Sequence, residues 1–228
     1  MKSYDKLTLW DIDNTTVKGI GAHLESFPYA LKKVYGVEGN VRPEHHGLTD
    51  RRIIFDILRE KGFSDSEIES NLPECFNVMT GYFTANIDKY DIITMPGARN
   101  VLEELERHNV LMGVVTGNIG AVAKGEIEKV GLEHYFEFGG FGNESNERSD
   151  LVRIAIERAE KGYGFKNNNN VYLFDDTPIG IEAGKAAMVK AIGVATGNSS
   201  VEQLREAGAD DVLENLMDPK KVLKLLNI

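Results

Sequence analysis

The chain has 228 residues, of which 42% are hydrophobic and 27% are charged, so it can bury a core and is not intrinsically disordered. It carries 26 Lys and Arg residues against 36 Asp and Glu residues, and the net charge of −10 disfavours nucleic acid as a partner. The single cysteine, Cys75, excludes an internal disulfide, and no apolar run is long enough to predict a secretion signal or a membrane span. Together these features favour a cytoplasmic protein.

Short apolar runs bounded by polar or glycine residues predict buried β-strands. The five runs are Leu7 to Ile12, Val110 to Val115, Phe136 to Phe141, Val171 to Phe174 and Val189 to Val194. Helical periodicity is present over residues 98–108, 119–130, 150–161, 178–187 and 200–207, and in the C-terminal tail. Because the last four strands alternate with helices, the pattern predicts an α/β fold with a doubly wound parallel sheet covered on both faces.

A long insertion separates the first two predicted strands by about a hundred residues, whereas a parallel crossover needs roughly a dozen. Within it, residues 24–34, 53–58 and 68–83 keep helical spacing, and Pro73 predicts two helices or a kink in the third stretch. We therefore expect residues 18–93 to form a small helical cap. The α/β core then comprises residues 1–17 and 94–228, with the cap over the sheet edge where open α/β folds bind ligands.

Two acidic residues, Asp11 and Asp13, follow the first strand. A carboxylate at the end of a buried strand needs a cleft, a cation or hydrogen-bond donors to offset its desolvation. The pair suits a carboxylate nucleophile with an acid–base partner and equally suits a metal site. A turn that caps backbone groups is the structural alternative.

Polar residues also follow the second and fourth strands. Thr116-Gly117-Asn118 directly precedes a helix, where a hydroxyl and free N–H groups can hold an anion or serve as an ordinary cap. Asp175 and Asp176 are adjacent acids, which repel each other unless a cation lies beside them, and Mg²⁺ prefers such oxygen ligands. Since the carboxyl ends of parallel strands meet at one edge, we expect these groups to converge on a single site.

With these motifs the chain resembles the haloacid dehalogenase superfamily, in its phosphatase branch with a helical cap, and within that branch the phosphoglycolate-phosphatase-like proteins. The resemblance covers nearly the whole chain. It is carried by the Asp-x-Asp-x-Thr motif at 11–15, the cap insertion, Met95-Pro96-Gly97, Thr116, Arg148, and the Asp175-Asp176 pair.

The resemblance implies a covalent mechanism. Asp11 would attack phosphorus and form an aspartyl-phosphate, while Asp13 would protonate the leaving oxygen and later activate water. Thr116 would hydrogen-bond the phosphoryl oxygens. The residues that would assist in binding the phosphate or the substrate are Thr15, Gly117, Asn118 and Arg51. Mg²⁺ would be the cofactor, held by the Asp11 carboxylate, the Asp13 backbone carbonyl, Asp175 and Asp176.

Two positions depart from the pattern of the family. Arg148 stands where most relatives have a lysine, and Lys124 on the helix after Thr116 is a second candidate for that cation. Gly180 stands where many relatives have a second acid, so Asp175, Asp176 or water must complete the metal site. On this basis Gly180→Asp is expected to tighten metal binding.

Arg51, in the cap, is the candidate for clamping a substrate carboxylate. The preceding Thr49-Asp50 pair equally predicts a helix N-cap that leaves Arg51 facing solvent.

The sequence thus predicts a Mg²⁺-dependent phosphomonoester hydrolase acting on a small phosphorylated metabolite, either phosphoglycolate-like or a sugar phosphate. A phosphomutase of the same superfamily would use the same Asp11 chemistry and is an alternative. A non-catalytic protein that binds metal or phosphate on this scaffold is another. A haloacid dehalogenase is disfavoured, because it needs neither a metal nor an acid at the position of Asp13.

Overall fold

The computed structural model describes residues 3–228, and that range contains a six-stranded sheet, a two-stranded ribbon and nine α-helices. The strands are β1 (Leu7–Trp10), β2 (Val17–Lys18), β3 (Ile93–Thr94), β4 (Leu111–Thr116), β5 (Gly139–Phe141), β6 (Val171–Asp175), β7 (Lys190–Val194) and β8 (Asp211–Leu213). The helices are α1 (Gly21–Tyr35), α2 (Asp50–Glu60), α3 (Asp65–Asn86), α4 (Ala98–Arg107), α5 (Gly120–Lys129), α6 (Arg148–Gly162), α7 (Pro178–Ala186), α8 (Val201–Glu206) and α9 (Pro219–Leu225). Between residues 3 and 228, none of the helices has the length and apolar character that a membrane crossing requires.

The predicted doubly wound parallel sheet is confirmed. Its strands are all parallel and lie in the order β5-β4-β1-β6-β7-β8, so β1 occupies the centre between β4 and β6. Apolar side chains of α4, α5 and α9 cover one face, and those of α6, α7 and α8 cover the other. Residues on β1 alternate between these faces: Leu7 and Leu9 pack towards α6, while Trp10 stacks on Phe174 with ring centroids 4.1 Å apart.

Three short strands were absent from the prediction, because two or three residues are too few for a periodic pattern. They are β2, β3 and β8. Of the two alternatives predicted at Pro73, the two separate helices are wrong, because α3 runs through this proline without interruption. Leu72 before it and Cys75 after it are both buried in the same apolar cluster, and we infer that this packing outweighs the backbone hydrogen bond that proline cannot make.

Helices α1 to α3 lie in the segment assigned to a cap and share one apolar cluster, which Ile119 and Val122 beside the start of α5 join. The chain leaves and re-enters the sheet through β2 and β3, which pair antiparallel with Val17 opposite Thr94. The two segments that connect the insertion to the sheet, β2 and β3, are therefore paired with each other. The insertion itself packs against α5, the helix that follows β4. The domain boundaries at residues 17/18 and 93/94 stay a prediction.

Candidate active site

The site is built where the three central strands end. Asp11 directly follows β1, and its backbone N–H donates to the Phe174 carbonyl of β6 at 3.0 Å, so the strand pairing continues up to this residue. The chain then turns sharply, with Asn14 in the left-handed region at φ 61°. Because β1 is flanked by β4 and β6, this turn lies beside the ends of both neighbours.

Three carboxylates meet at this edge. One oxygen from each of Asp11, Asp175 and Asp176 lies within 4.8 Å of the other two, and all three residues are buried. The Arg148 guanidinium joins them: its Nη2 donates to Asp11 Oδ1 at 2.6 Å and to Asp175 Oδ2 at 2.5 Å. We call these four residues the carboxylate cluster.

The second candidate for the cation, Lys124, lies elsewhere. Its side chain is 73% exposed, and its Nζ is 3.6 Å from Glu128 Oε1 on the surface of α5. Of the two candidates that the sequence left open, Arg148 is the one that contacts Asp11.

The carboxylate cluster contains three acids and one base. Burial and the neighbouring Asp175 raise the pKa of Asp11 well above its ordinary value, and Arg148 offsets only part of this. The same causes raise the pKa of Asp176 to about 8. For Arg148, burial opposes the cationic form, but Asp175 and Asp11 raise its pKa above the ordinary value. One arginine does not balance three acids, so a further cation would favour their ionised forms.

The donor set fits a hard divalent cation. Asp176 Oδ1 accepts a hydrogen bond from Thr15 Oγ1 at 3.3 Å, whereas Asp176 Oδ2 is buried without a partner among residues 3–228. Both oxygens of Asp175 are already engaged, Oδ2 by Arg148 and Oδ1 by the N–H and hydroxyl of Thr177 at 2.9 and 2.7 Å. All available donors are oxygens, which Mg²⁺ prefers.

This difference between Asp175 and Asp176 predicts that substitutions at the two positions change the Mg²⁺ requirement by different amounts. We expect Asp176→Ala to raise the Mg²⁺ concentration needed for half-maximal activity by on the order of tenfold or more, because it removes the oxygen that is free to bind. Asp175→Ala should act mainly by releasing Arg148 and lowering stability. Mg²⁺ titrations of phosphate release, paired with thermal unfolding of each variant, separate the two effects. Coincident Mg²⁺ curves for Asp176→Ala and the unsubstituted protein would contradict the assignment.

The surroundings of Gly180 argue against the expectation that Gly180→Asp tightens metal binding. A Cβ atom placed on Gly180 would collide with the Asp175 carboxyl group, which is buried and held by Arg148 and Thr177. The Asp175 carboxylate thus occupies the volume that a side chain at position 180 would need. Any substitution there must displace a member of the carboxylate cluster.

The end of β4 and the residues that follow it contact the cap loop. Thr116 is buried, and its Oγ1 accepts the Asn118 N–H at 3.2 Å. The Gly117 carbonyl accepts the Asp50 N–H at 2.8 Å, and a Cβ atom on Gly117 would collide with the Leu48 carbonyl. Glycine is therefore needed here so that the cap loop can approach the core.

Arg51 is not brought into the carboxylate cluster. Its Nη2 donates to Glu69 Oε2 of α3 at 2.5 Å, and its guanidinium lies over the Phe55 ring, 5.2 Å from the centroid. Thr49 is the N-cap of α2, as the alternative interpretation predicted, since its hydroxyl accepts the Arg52 N–H at 3.2 Å. The Arg51 guanidinium is thus paired with an acid and an aromatic ring of the cap.

Four further buried polar residues lie between the cap and the core, and we call them the cap–core cluster: His23, Asp50, Asn118 and Glu126. Asp50 Oδ2 contacts His23 Nε2 at 2.9 Å and accepts the Ile119 N–H at 2.8 Å. Asn118 Nδ2 donates to Glu126 Oε2 at 3.0 Å.

Of the cap–core cluster, the sequence prediction included only Asn118. A signal for Glu126 was present, because it shares the buried stripe of α5 with Val122, Ala123 and Ile127. An acid on the apolar face of a helix indicates a specific environment.

The His23–Asp50 pair predicts a pH-dependent stability. Burial alone would lower the pKa of His23, but Asp50, Glu126 and Asp13 raise it to about 9 from the ordinary 6.5. A raised pKa means that the folded state binds the proton more tightly, so this stabilisation is complete below pH 6.5 and is lost as the pH rises through about 9. We expect the loss to be on the order of 3 kcal/mol.

Urea unfolding of metal-free protein between pH 6 and 10 measures this effect. Buried acids with raised pKa values contribute in the same direction, so the informative quantity is the difference between the profiles of the unsubstituted protein and His23→Asn. His46→Asn is the matched control, because His46 is exposed. Profiles of equal slope for His23→Asn and the unsubstituted protein would rule out a charged His23.

Comparison with known proteins gives a family and one curated relative. The model of the haloacid dehalogenase-like hydrolases matches residues 8–194. A protein of Thermotoga maritima described as a phosphorylated carbohydrates phosphatase is 27% identical over 135 residues. That alignment covers 58% of this chain and spans 58% of the relative's length.

Solved structures with the same fold are also found. A hydrolase from Pseudomonas syringae has a TM-score of 0.72 at 17% identity, covering 97% of this chain and 98% of that one. A variant of CbbY from Rhodobacter sphaeroides, in complex with xylulose-(1,5)bisphosphate, has a TM-score of 0.73 at 17% identity, covering 94% and 96%. At these identities the likeness establishes the fold.

Proposed function

The chain belongs to the haloacid dehalogenase-like hydrolases, and we propose that it is a Mg²⁺-dependent phosphomonoester hydrolase acting on a small phosphorylated metabolite. The observation that carries the proposal is the placement of Asp11. Its carboxylate belongs to the carboxylate cluster and contacts Arg148, and Asp13 follows two residues later. This is the arrangement that a carboxylate nucleophile with an adjacent acid–base group requires.

In the first step Asp11 attacks phosphorus, forming a bond from its oxygen to phosphorus as the bond to the leaving oxygen breaks. Asp13 gives its proton to that oxygen. Burial raises the pKa of Asp13, although His23 and Asn118 act to lower it, so this residue retains a proton more readily than an exposed aspartate. In the second step Asp13 takes a proton from water, which attacks the aspartyl-phosphate and releases inorganic phosphate.

We assign the roles of the remaining site residues from their charge and their hydrogen-bonding groups. Arg148 neutralises Asp11 and the phosphoryl group, in a molecule whose net charge of −10 otherwise opposes anion binding. Thr116, Thr15 and the backbone at Gly117 and Asn118 are assigned to orient the phosphate.

The bound Mg²⁺ would be held by Asp11, Asp176 and the Asp13 carbonyl, and would supply positive charge that favours ionised Asp11 and offsets repulsion from the substrate. Support comes from the buried, unpartnered Asp176 Oδ2 and from the raised pKa of Asp11, since a nucleophile must be ionised.

The proposed substrate class is a sugar phosphate or a related phosphorylated small molecule. It is supported by the curated relative, whose description names phosphorylated carbohydrates.

A phosphate-release screen over several dozen phosphomonoesters, with Mg²⁺ and with EDTA, tests the proposal. We expect Mg²⁺-dependent turnover of at least one ester. Binding of Mg²⁺ or phosphate without turnover would favour the non-catalytic alternative instead. Conversion of a sugar phosphate that needs a bisphosphate activator and releases no phosphate would favour a phosphomutase.

A further inference from the structure

The loop that follows β7 passes directly beside the carboxylate cluster. A Cβ atom placed on Gly197 would lie 1.7 Å from Asp176 Oδ2 and 2.7 Å from Asp176 Cγ, far inside van der Waals contact. Only the hydrogen atom of a glycine fits between the backbone of this loop and the Asp176 carboxylate. The φ of Gly197 lies outside the left-handed region, so the close approach to Asp176, and not the backbone conformation, requires glycine here.

The loop is anchored next to Gly197. Thr196 Oγ1 donates to the Asn14 carbonyl at 2.6 Å, and the Thr196 N–H donates to the Val194 carbonyl at 2.8 Å. Asn14 belongs to the turn that directly follows Asp13. The loop is thus fastened both to the end of β7 and to the turn that carries the acid–base residue of the proposed mechanism, and these bonds oppose its movement away from Asp176.

The Asp176 side chain is held more weakly than the loop. The residue is 0% exposed, and the hydrogen bond that it accepts from Thr15 Oγ1 is 3.3 Å long. Its other oxygen, Oδ2, has no hydrogen-bond partner in the described part of the chain, so contact with Gly197 limits where this oxygen can lie. A group larger than hydrogen at position 197 would therefore turn the Asp176 carboxylate out of its present orientation.

We propose that Gly197 is a positioning residue of the metal site, because the space that it leaves for Asp176 Oδ2 sets the orientation in which this oxygen binds the divalent cation. The inference rests on the proposed function, in which Asp176 is a ligand of Mg²⁺. Mg²⁺ demands nearly ideal octahedral geometry, so even a small displacement of one ligand oxygen lowers its affinity.

Titration of the metal-free protein with Mg²⁺, followed by the rise in melting temperature, tests the proposal without a measurement of activity. We expect Gly197→Ala to raise the apparent Kd for Mg²⁺ by about tenfold or more, the effect of disturbing a residue that orients a metal ligand. Gly162→Ala is the matched control and should leave the Kd unchanged. Gly162 is the last residue of α6, and a Cβ atom there meets nothing within 4 Å among the residues that the structure describes.

A double-mutant cycle with Asp176→Ala identifies the contact responsible. In metal-free protein, Gly197→Ala should lower the melting temperature by about 4 °C or more, because it overpacks a confined site. In the Asp176→Ala background the same substitution should cost much less, since the colliding carboxylate is gone. The nearest atom of residue 176 would then be its Cβ, 3.3 Å from the added methyl group.

The outcomes separate the inference from the proposed function. If Mg²⁺ raises the melting temperature of neither the unsubstituted protein nor Gly162→Ala, the proposed Mg²⁺-dependent function fails and the inference fails with it. If both proteins bind Mg²⁺ and Gly197→Ala binds it with the same Kd, the inference alone is overturned.

The cycle can also refute the proposal. Equal losses of melting temperature for Gly197→Ala with and without the Asp176 carboxylate would show that the added methyl group collides with something else. If Gly197→Ala does not fold, folding of the double variant Gly197→Ala/Asp176→Ala supports the proposal, and failure of the double variant to fold refutes it.

Discussion

Asp11→Asn is expected to abolish phosphate release, with a loss of kcat of at least about 10⁴-fold. The substitution removes the oxygen nucleophile that would form the aspartyl-phosphate, and the amide that replaces it is a far weaker nucleophile. It also removes one carboxylate from the proposed metal site. Release of phosphate from the best ester found in the screen, at saturating Mg²⁺, measures the effect.

The same variant should stay folded. Asp11 is buried, and both burial and Asp175 disfavour its ionised form more than Arg148 favours it. A neutral asparagine relieves that repulsion, while Arg148 keeps its contact with Asp175. We therefore expect the melting temperature of the metal-free variant to be unchanged or higher.

Asp5→Asn, at an exposed position, is the matched control and should retain full activity. Phosphate release by Asp11→Asn at the rate of the unsubstituted protein would exclude Asp11 as the nucleophile.

Arg148→Ala should lower kcat/KM by about a hundredfold or more, equivalent to roughly 3 kcal/mol, the effect of losing one preorganised charge-stabilising donor. The guanidinium donates to Asp11 and Asp175 and is 7% exposed, so water cannot readily replace it. Its loss leaves buried acids without a partner, and we expect the free energy of unfolding at pH 7 to fall by about 3 kcal/mol.

Two further variants test whether the charge of Arg148 suffices without its forked shape, and whether Lys124 contributes. Arg148→Lys should recover part of the activity if an ammonium group reaches Asp11, but it cannot reproduce the forked contact with both acids. Lys124→Ala should have little effect, since Lys124 is exposed and pairs with Glu128. An inactive Lys124→Ala protein beside a fully active Arg148→Ala protein would overturn the assignment of the cation.

The sheet and its covering helices could be predicted from the sequence because each depends on local patterns. Continuous apolar runs indicate strands buried on both faces, and helical periodicity between them indicates parallel crossovers. The edge at which Asp11, Thr116 and Asp175 meet follows from the same rule, because each ends or directly follows a parallel strand. The long interval after the first strand likewise predicted an insertion, since no crossover needs so many residues.

The tertiary structure alone decided which side chains pair across that edge. Arg148 and Asp11 are 137 residues apart, and no local pattern distinguishes Arg148 from Lys124 as the partner. Arg51 appeared available in the sequence, but Glu69 of α3 holds it.

Glu126 and His23 acquire their environments where cap and core meet. Those environments depend on burial between elements that are distant in sequence. Local periodicity reports which face of a helix is buried, whereas the charges that meet there are set by packing between helices.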